Sequence, residues 1–337
     1  MPVKNIIVLI IFIIIVWILD ADVDLRDIYL LPSVFLSPCP LSDMDLDESE
    51  NKKLVRIPSN LMYNGQYKPA ITAVSDDNRL IPRIIFQTNK SSDVPYRMFN
   101  AMKSWMDNNP NYQYFYFDDG DIDNFIKSNY NHRTYIAYTL IRAGAYRADF
   151  FRLCVILKYG GVYIDSSHFT MEDLPNLDTI IKPTDSIVLV HDTPAKIIAK
   201  CNGIYNAFIA ATPNHPIIKK VLDDIVERLY VCDYGNSQLY TTGPCGIGKS
   251  ISEMLSPDAL LYHSEVYNRP ELFNGTMRTY RLHHGIKCNI RVVLSEKNEV
   301  LWYCYYPGYH SDRSWYHNSS NYTAMYREGT AFICPSK

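Results

Sequence analysis

The eight cysteines (Cys39, Cys154, Cys201, Cys232, Cys245, Cys288, Cys304 and Cys334) include no CxxC pair, so a zinc site is not indicated. An excess of charge of one sign is also missing. With 33 basic against 36 acidic residues the net charge is -3, which leaves no positive field for holding nucleic acid and excludes it as an expected partner. There is no internal repeat. The longest apolar run, Ile6 to Leu19, is shorter than the roughly 20 residues a helix needs to span a typical bilayer, although thin membranes accept less. No small-residue cleavage site follows it cleanly, which favours an uncleaved signal anchor over a removed signal peptide.

Lys4 before this run and Asp20, Asp22 and Asp24 after it favour a single-pass orientation with the body outside, in a lumenal or extracellular compartment. Four sequons, at Asn89, Asn274, Asn318 and Asn321, agree with that orientation, and some cysteines can pair there. The acidic, proline-punctuated stretch that follows reads as a stem. The expected organisation is therefore an anchor over 1–20, a stem over 21–80 and one large domain over 81–337. A composition of 47% apolar and 20% charged residues suits a globular core. The 27 tyrosines suit half-buried strands and carbohydrate surfaces alike.

Ile81 to Thr88 reads as a buried strand, Tyr96 to Met106 as a helix, and Tyr112 to Phe117 as a second strand. Ala143 to Tyr159 is apolar on most faces and stops at Gly160-Gly161, which predicts a buried helix with a glycine cap. Val162-Tyr163-Ile164 is then a strand ending in Asp165, followed by strands at Ile187 to Val190 and Ala207 to Ala211. A helix opened by Asn214-His215-Pro216 runs towards Tyr230. The alternation predicts an α/β domain with a mostly parallel sheet. Asp149 and Arg152, three apart on the buried helix, form either a structural ion pair or a pair that reaches a polar ligand. Asp165 lies beyond the carboxyl end of a strand, where ligands of open α/β sheets sit, and can hold a sugar hydroxyl or a divalent cation.

These residues carry a resemblance. Ile81-Pro82-Arg83-Ile84-Ile85 with Gln87-Thr88, Ser104-Trp105, Asn109-Pro110, Arg147-Ala148-Asp149 with Arg152, and Gly160 to Asp165 are similar, in this order, to the DXD glycosyltransferases of family thirty-two. Asn206-Ala207-Phe208, His215-Pro216, Thr242-Gly243-Pro244 and His310 with Ser314-Trp315 extend the likeness to Trp315. That family includes initiating α-1,6-mannosyltransferases and is related to capsular-polysaccharide transferases. The resemblance implies a GT-A type nucleotide-sugar-binding fold, a UDP- or GDP-sugar donor, a glycan or glycoprotein acceptor, retention of anomeric configuration and a divalent metal, manganese or magnesium. It further implies catalytic roles for Asp165 and Arg152, donor contacts from Gln87, Asp149, Arg152, Tyr163, Asp165 and Trp315, and metal contacts from Asp165, Ser167 and His310.

The chain departs from the pattern at two places: Phe86 stands where histidine is frequent, and Ser167 replaces the second acid of the D-x-D. A hydroxyl is a weaker ligand for a hard cation than a carboxylate. The alternative reading is therefore a membrane-tethered, non-catalytic sugar-binding glycoprotein on a degenerate transferase fold. His168 could replace the missing acid, although strand alternation points it away from Ser167. Gly243 to Ser250 spells G-x-x-x-x-G-K-S, but no apolar strand precedes it, so a phosphate-cradling loop is not expected. His191-Asp192 and His283-His284 lack ligand spacing and read as surface or loop residues.

Overall fold

The computed structural model describes residues 52–63, 78–192, 201–255, 266–284, 291–316 and 322–334, all within one unit. The expected anchor, Cys39, Cys288 and the sequons at Asn318 and Asn321 lie outside the described residues. Among the described residues no helix is long and apolar enough to cross a membrane.

In chain order the elements are β1 (Leu54–Arg56), β2 (Ile84–Thr88), β3 (Asp93–Pro95), α1 (Tyr96–Asn108), β4 (Gln113–Phe117), α2 (Asp119–Asn129), α3 (His132–Thr139) and α4 (Gly144–Tyr159). Next come β5 (Gly161–Ile164), α5 (Leu177–Ile180), β6 (Asp185–Asp192), β7 (Gly203–Ile204), β8 (Phe208–Ala211), α6 (Pro216–Tyr230) and α7 (Pro244–Leu255). The last are β9 (Val266–Asn268), β10 (Thr276–His284), β11 (Arg291–Leu294), β12 (Val300–Tyr303), α8 (Tyr309–Tyr316) and α9 (Tyr322–Arg327). A ten-stranded sheet runs β12-β11-β10-β6-β8-β5-β2-β4, with β7 on β6 and β9 on β10.

The expected helices and strands around the motifs are present, but the mostly parallel sheet is corrected to a mixed one. β2 pairs in parallel with β4 and β5, and β6 with β10. The remaining pairings of this sheet are antiparallel. Strand–helix–strand alternation is sound evidence for the β4-β2-β5 half. It carries no information about β8, which enters at the edge where β6 leaves and so runs back between β5 and β6. Followed through these pairings, β2, β4, β5, β6, β10 and β12 all point one way. Their carboxyl ends therefore share one edge of the sheet.

Residues 52–63, expected in the stem, are built into the domain. β1 pairs with β3, the Tyr63 amide donates to the Tyr116 carbonyl at 2.8 Å, and the Tyr63 ring stacks on Phe117 at 4.4 Å. A three-residue strand whose partner lies dozens of residues away leaves too little periodicity to be read.

α4 is the central helix, with Phe150, Phe151, Leu153, Cys154, Val155 and Ile156 all fully buried. Each contributes about 1.5–3 kcal/mol of apolar burial, enough to carry the two charged residues embedded among them. The helix stops where Gly160 and Gly161 take φ values of 65° and 93°. A Cβ on Gly160 would overlap Pro213 and the Ala211 carbonyl, and one on Gly161 would overlap the Ile84 carbonyl. Glycine alone lets α4 turn directly into β5 between β2 and β8.

Candidate active site

Asp165 follows β5 at the carboxyl edge of the sheet, its amide donating to the Ala207 carbonyl at 2.9 Å. Its Oδ1 accepts from the Tyr163 hydroxyl at 2.9 Å and pairs with Arg152 at 3.2 Å. Its Oδ2 takes no partner among the described residues, and the side chain is 33% exposed. Arg152 also pairs with Asp149 at 3.3 Å and lies over the Tyr163 ring, with its carbon 4.7 Å from the centroid. One buried guanidinium thus bridges two carboxylates, an inner one and an outer one.

The inner carboxylate is saturated. Asp149 accepts from Asn206 Nδ2 at 2.8 Å and from the Thr242 hydroxyl at 2.9 Å, besides Arg152. Asn206 and Thr242 are landmarks of the sequence resemblance whose task is legible only here. Nothing in their local sequence says that a loop before β8 and a turn before α7 meet on α4. Burial raises the Asp149 carboxyl to about 6, against the opposing pull of Arg152 and Thr242. Burial also works against the Arg152 charge, but Asp165 and Asp149 outweigh it and hold the guanidinium protonated.

A raised carboxyl pKa contributes stability that is complete below the unfolded value near 3.8 and is lost as the pH rises through about 6. Two buried histidines act oppositely. Burial lowers His168 and His215 to about 4, so their contribution is lost as the pH falls from 6.5 towards 4. The Asp149 term is isolated by comparison: the stability of Asp149→Asn relative to the parent should rise between pH 4.5 and 7. Parallel thermal melts at several pH values check this, and a difference that stays flat would remove Asp149 as a titrating core group.

Gln87 ends up beneath the site. It is fully buried, donates Nε2 to the Asp165 carbonyl at 3.3 Å and accepts from the Tyr114 hydroxyl at 2.7 Å, so it holds the Asp165 backbone. Asn89 donates to the Ser166 hydroxyl at 3.0 Å, which turns that sequon's amide inward; Asn274 is exposed. His168 is fully buried and shares a hydrogen bond with the Tyr205 hydroxyl at 2.8 Å; its amide donates to the Asp165 carbonyl at 3.0 Å, so residues 165–168 form a turn rather than the extended strand that alternation assumes. It does not replace the missing acid.

The Ser167 hydroxyl is half-buried and has no partner among the described residues, while its carbonyl accepts from the Tyr306 amide at 3.1 Å. That bond fastens the segment after β12 to the site. Asp312, 1% exposed, anchors α8 there: it pairs with Arg97 at 3.3 Å and accepts from Tyr306 and from Trp315 Nε1, each at 3.2 Å. His310 is exposed, with ring contacts to Tyr305 and Tyr309 and none to Asp165 or Ser167. Among the described residues no group of three His, Cys, Asp or Glu side chains could hold a metal.

The G-x-x-x-x-G-K-S segment is a packing device. It forms the start of α7 after a turn, and a Cβ on Gly246 or Gly248 would overlap the carbonyls of Tyr240 and Asn202. Lys249 is exposed and donates to the Tyr240 hydroxyl at 2.9 Å, while Ser250 is buried against Arg228 at 2.6 Å. Two disulfides bound this region: Cys201–Cys245 and Cys232–Cys334, with Cα separations of 5.5 and 5.3 Å.

Residues 95–187, which hold Asp149, Arg152, Tyr163, Asp165 and Ser167, match the family described as glycosyltransferase sugar-binding region containing DXD motif. The likeness to that family covers this segment of the chain. The chain is similar to inositol phosphoceramide mannosyltransferase 3 of Schizosaccharomyces pombe, 25% identical over 216 residues, covering 61% of this chain and 55% of that protein. It is similar to a mannosyl phosphorylinositol ceramide synthase of Saccharomyces cerevisiae, 29% identical over 152 residues, covering 44% and 36%. A third relative is the initiation-specific alpha-1,6-mannosyltransferase of Candida albicans, 29% identical over 117 residues, covering 33% and 28%. The chain spans 55% and 52% of the length of the first two relatives it matches. The solved PaToxG glycosyltransferase is similar at 18% identity and a TM-score of 0.41, covering 53% of this chain and 71% of that one.

Proposed function

We propose that this chain is a retaining hexosyltransferase of GT-A type that moves mannose or a related hexose from a UDP- or GDP-sugar to an acceptor. The acceptor would be a glycan, a glycoprotein or the polyol head of a glycolipid. The observation that carries this reading is the bridge of Arg152 between Asp149 and Asp165 at the carboxyl edge of the sheet, within the family's sugar-binding segment. The relatives' names, as mannosyltransferases acting on inositol phosphoceramide or in alpha-1,6 linkage, support the choice of sugar and acceptor class.

In this reading the free Oδ2 of Asp165 accepts a hydroxyl of the donor, and Tyr163 and Gln87 keep that carboxylate in place. Arg152 lies in a buried, low-dielectric position, where a fixed positive charge best stabilises charge developing on a departing diphosphate. A divalent cation, when bound, would neutralise part of that diphosphate charge. One open carboxylate oxygen and one hydroxyl two residues on fit a cation shared with donor phosphates, held by Asp165 and Ser167, rather than one held by the protein alone. His310 completes the set only if α8 presents it. Ser167→Asp should therefore lower the manganese concentration needed for half-maximal activity, read from activity titrations of parent and variant. Superimposable curves would remove position 167 from the metal.

The parent, given manganese and a panel of UDP- and GDP-sugars, should slowly hydrolyse at least one donor. A parent that neither hydrolyses nor binds any of them would favour the non-catalytic reading. We also assign the body to a lumenal compartment behind the 1–20 anchor. The two disulfides support this, since such bonds persist in oxidising compartments.

A further inference from the structure

Ser104 and Trp105, landmarks of the sequence resemblance, lie on α1 and reach the site through its backbone. α1 buries Met98, Ala101, Met102 and Trp105 along one face. Trp105 is fully buried, packs edge-to-face on Trp302 of β12 with ring centroids 6.0 Å apart, and donates its indole N–H to the His168 carbonyl at 3.0 Å. The Ser104 hydroxyl accepts from the Thr170 amide at 3.1 Å and donates to the Ala101 carbonyl at 2.7 Å, which fixes its direction. Both side chains thus land on the stretch that leaves Asp165 and Ser167.

That stretch is held peptide by peptide. In the 167–168 peptide the carbonyl accepts from the Tyr306 amide at 3.1 Å and the N–H donates to the Asp165 carbonyl at 3.0 Å. In the 168–169 peptide the N–H donates to the Tyr303 carbonyl at 3.0 Å and the carbonyl accepts from Trp105. In the 169–170 peptide the carbonyl accepts from the Tyr303 amide at 3.1 Å and the N–H donates to Ser104. A planar peptide held at both ends cannot rotate without breaking a bond. The partners Asp165, Tyr303 and Tyr306 are backbone groups, whereas Trp105 and Ser104 act through their side chains. Removing the indole N–H leaves the buried His168 carbonyl without its donor, a cost the chain relieves by turning the 168–169 plane. The turn is continuous with Ser167, so this rotation moves the Ser167 hydroxyl and, through the His168 amide, the Asp165 backbone.

We propose that Trp105 and Ser104 are positioning residues for sugar transfer: by locking the two peptides after His168 they fix the 165–168 turn, and with it the direction of the Asp165 carboxylate and the Ser167 hydroxyl. They touch no reacting atom. Catalysis is sensitive to such placement, since a displacement of about 1 Å costs up to about 100-fold in rate. The assignment rests on the transferase reading and extends its machinery to α1.

The test compares the full chain with Trp105→Phe, Ser104→Ala and a control, Ile126→Ala. Ile126 is fully buried on α2 beside Phe125, which meets Tyr159 at the far end of α4 from the site. Steady-state donor hydrolysis or transfer and amide exchange of the 165–172 peptide are read alongside a thermal melt. Trp105→Phe should lower kcat about tenfold to a hundredfold, keep donor KM within about threefold of the parent, and speed exchange in 165–172. Ser104→Ala, the milder change, should lower kcat at least about threefold and speed exchange at Thr170. Ile126→Ala should lower the melting transition at least as far and leave kcat within about twofold. If Trp105→Phe does not fold, Ser104→Ala decides. A parental kcat in the deciding variant, or a kcat loss that Ile126→Ala shares, overturns the positioning role. Unchanged exchange in both variants overturns the lock whatever the activity. A parent that hydrolyses no nucleotide sugar is instead the failure of the transferase reading, and exchange then decides alone whether α1 fixes the turn.

Discussion

Asp165→Asn should fold like the parent and lose sugar transfer by about 10²–10³-fold, the scale set by removing one preorganised electrostatic contact. The substitution preserves shape. Asn Oδ1 can still accept from Tyr163 and Arg152, so the 2.9 and 3.2 Å contacts survive without the charge. The side chain is 33% exposed and Arg152 keeps Asp149, so little stability is at stake. What disappears is the negative Oδ2 that the fold leaves open at the end of β5. The measurement is transfer or donor hydrolysis beside a thermal melt. A variant that melts normally and transfers normally would show that the open carboxylate is not part of the chemistry.

Removing the cation on the other side of that contact should, besides any effect on transfer, cause a large loss of stability. Arg152→Ala takes the charge partner from Asp149, whose side chain is 13% exposed, and leaves a carboxylate with only Asn206 and Thr242 as donors. Breaking a buried pair in this way costs about 3–5 kcal/mol. The loss should be greatest at pH 7.5 and smaller at pH 5. The Asp149 carboxyl already sits near 6 with Arg152 present, and without it burial acts unopposed by that charge and proton uptake relieves the penalty. Denaturant unfolding of parent and variant at the two pH values checks both statements. Adding Asp149→Asn to the variant should recover part of the loss at pH 7.5 and little at pH 5. A variant as stable as the parent at pH 7.5 would mean that the pair is solvated in solution.

The two predictions separate what a reader of the chain can see from what the fold adds. β2, α1, β4, α4, β5, β6, β8 and α6 were legible because their apolar residues recur with the right period and glycine and proline signals punctuate them, whereas β3, α2, α3, α5 and β7 in the same stretch were not read. The pairing of Asp149 with Arg152 followed from helical spacing, and the placement of Asp165 from its position after a strand. β1 escaped notice because three residues carry no period. The mixed sheet escaped because hydrophobic pattern marks a strand without marking its direction.

By itself the sequence determined the α/β class, the buried α4 helix, the Arg152–Asp149 pair and the ligand-end position of Asp165, since each rests on contacts between residues close in the chain. The tertiary structure alone decided that Arg152 reaches both carboxylates and that Asn206 and Thr242 saturate the inner one. It also decided that Gln87 and Tyr163 hold the outer one and that the G-x-x-x-x-G-K-S glycines serve helix packing. Asn206, Thr242 and Gln87 lie 57, 93 and 78 residues from the aspartates they meet. Nothing local encodes such meetings, because they follow from which strand edges and loops the shared hydrophobic core brings together.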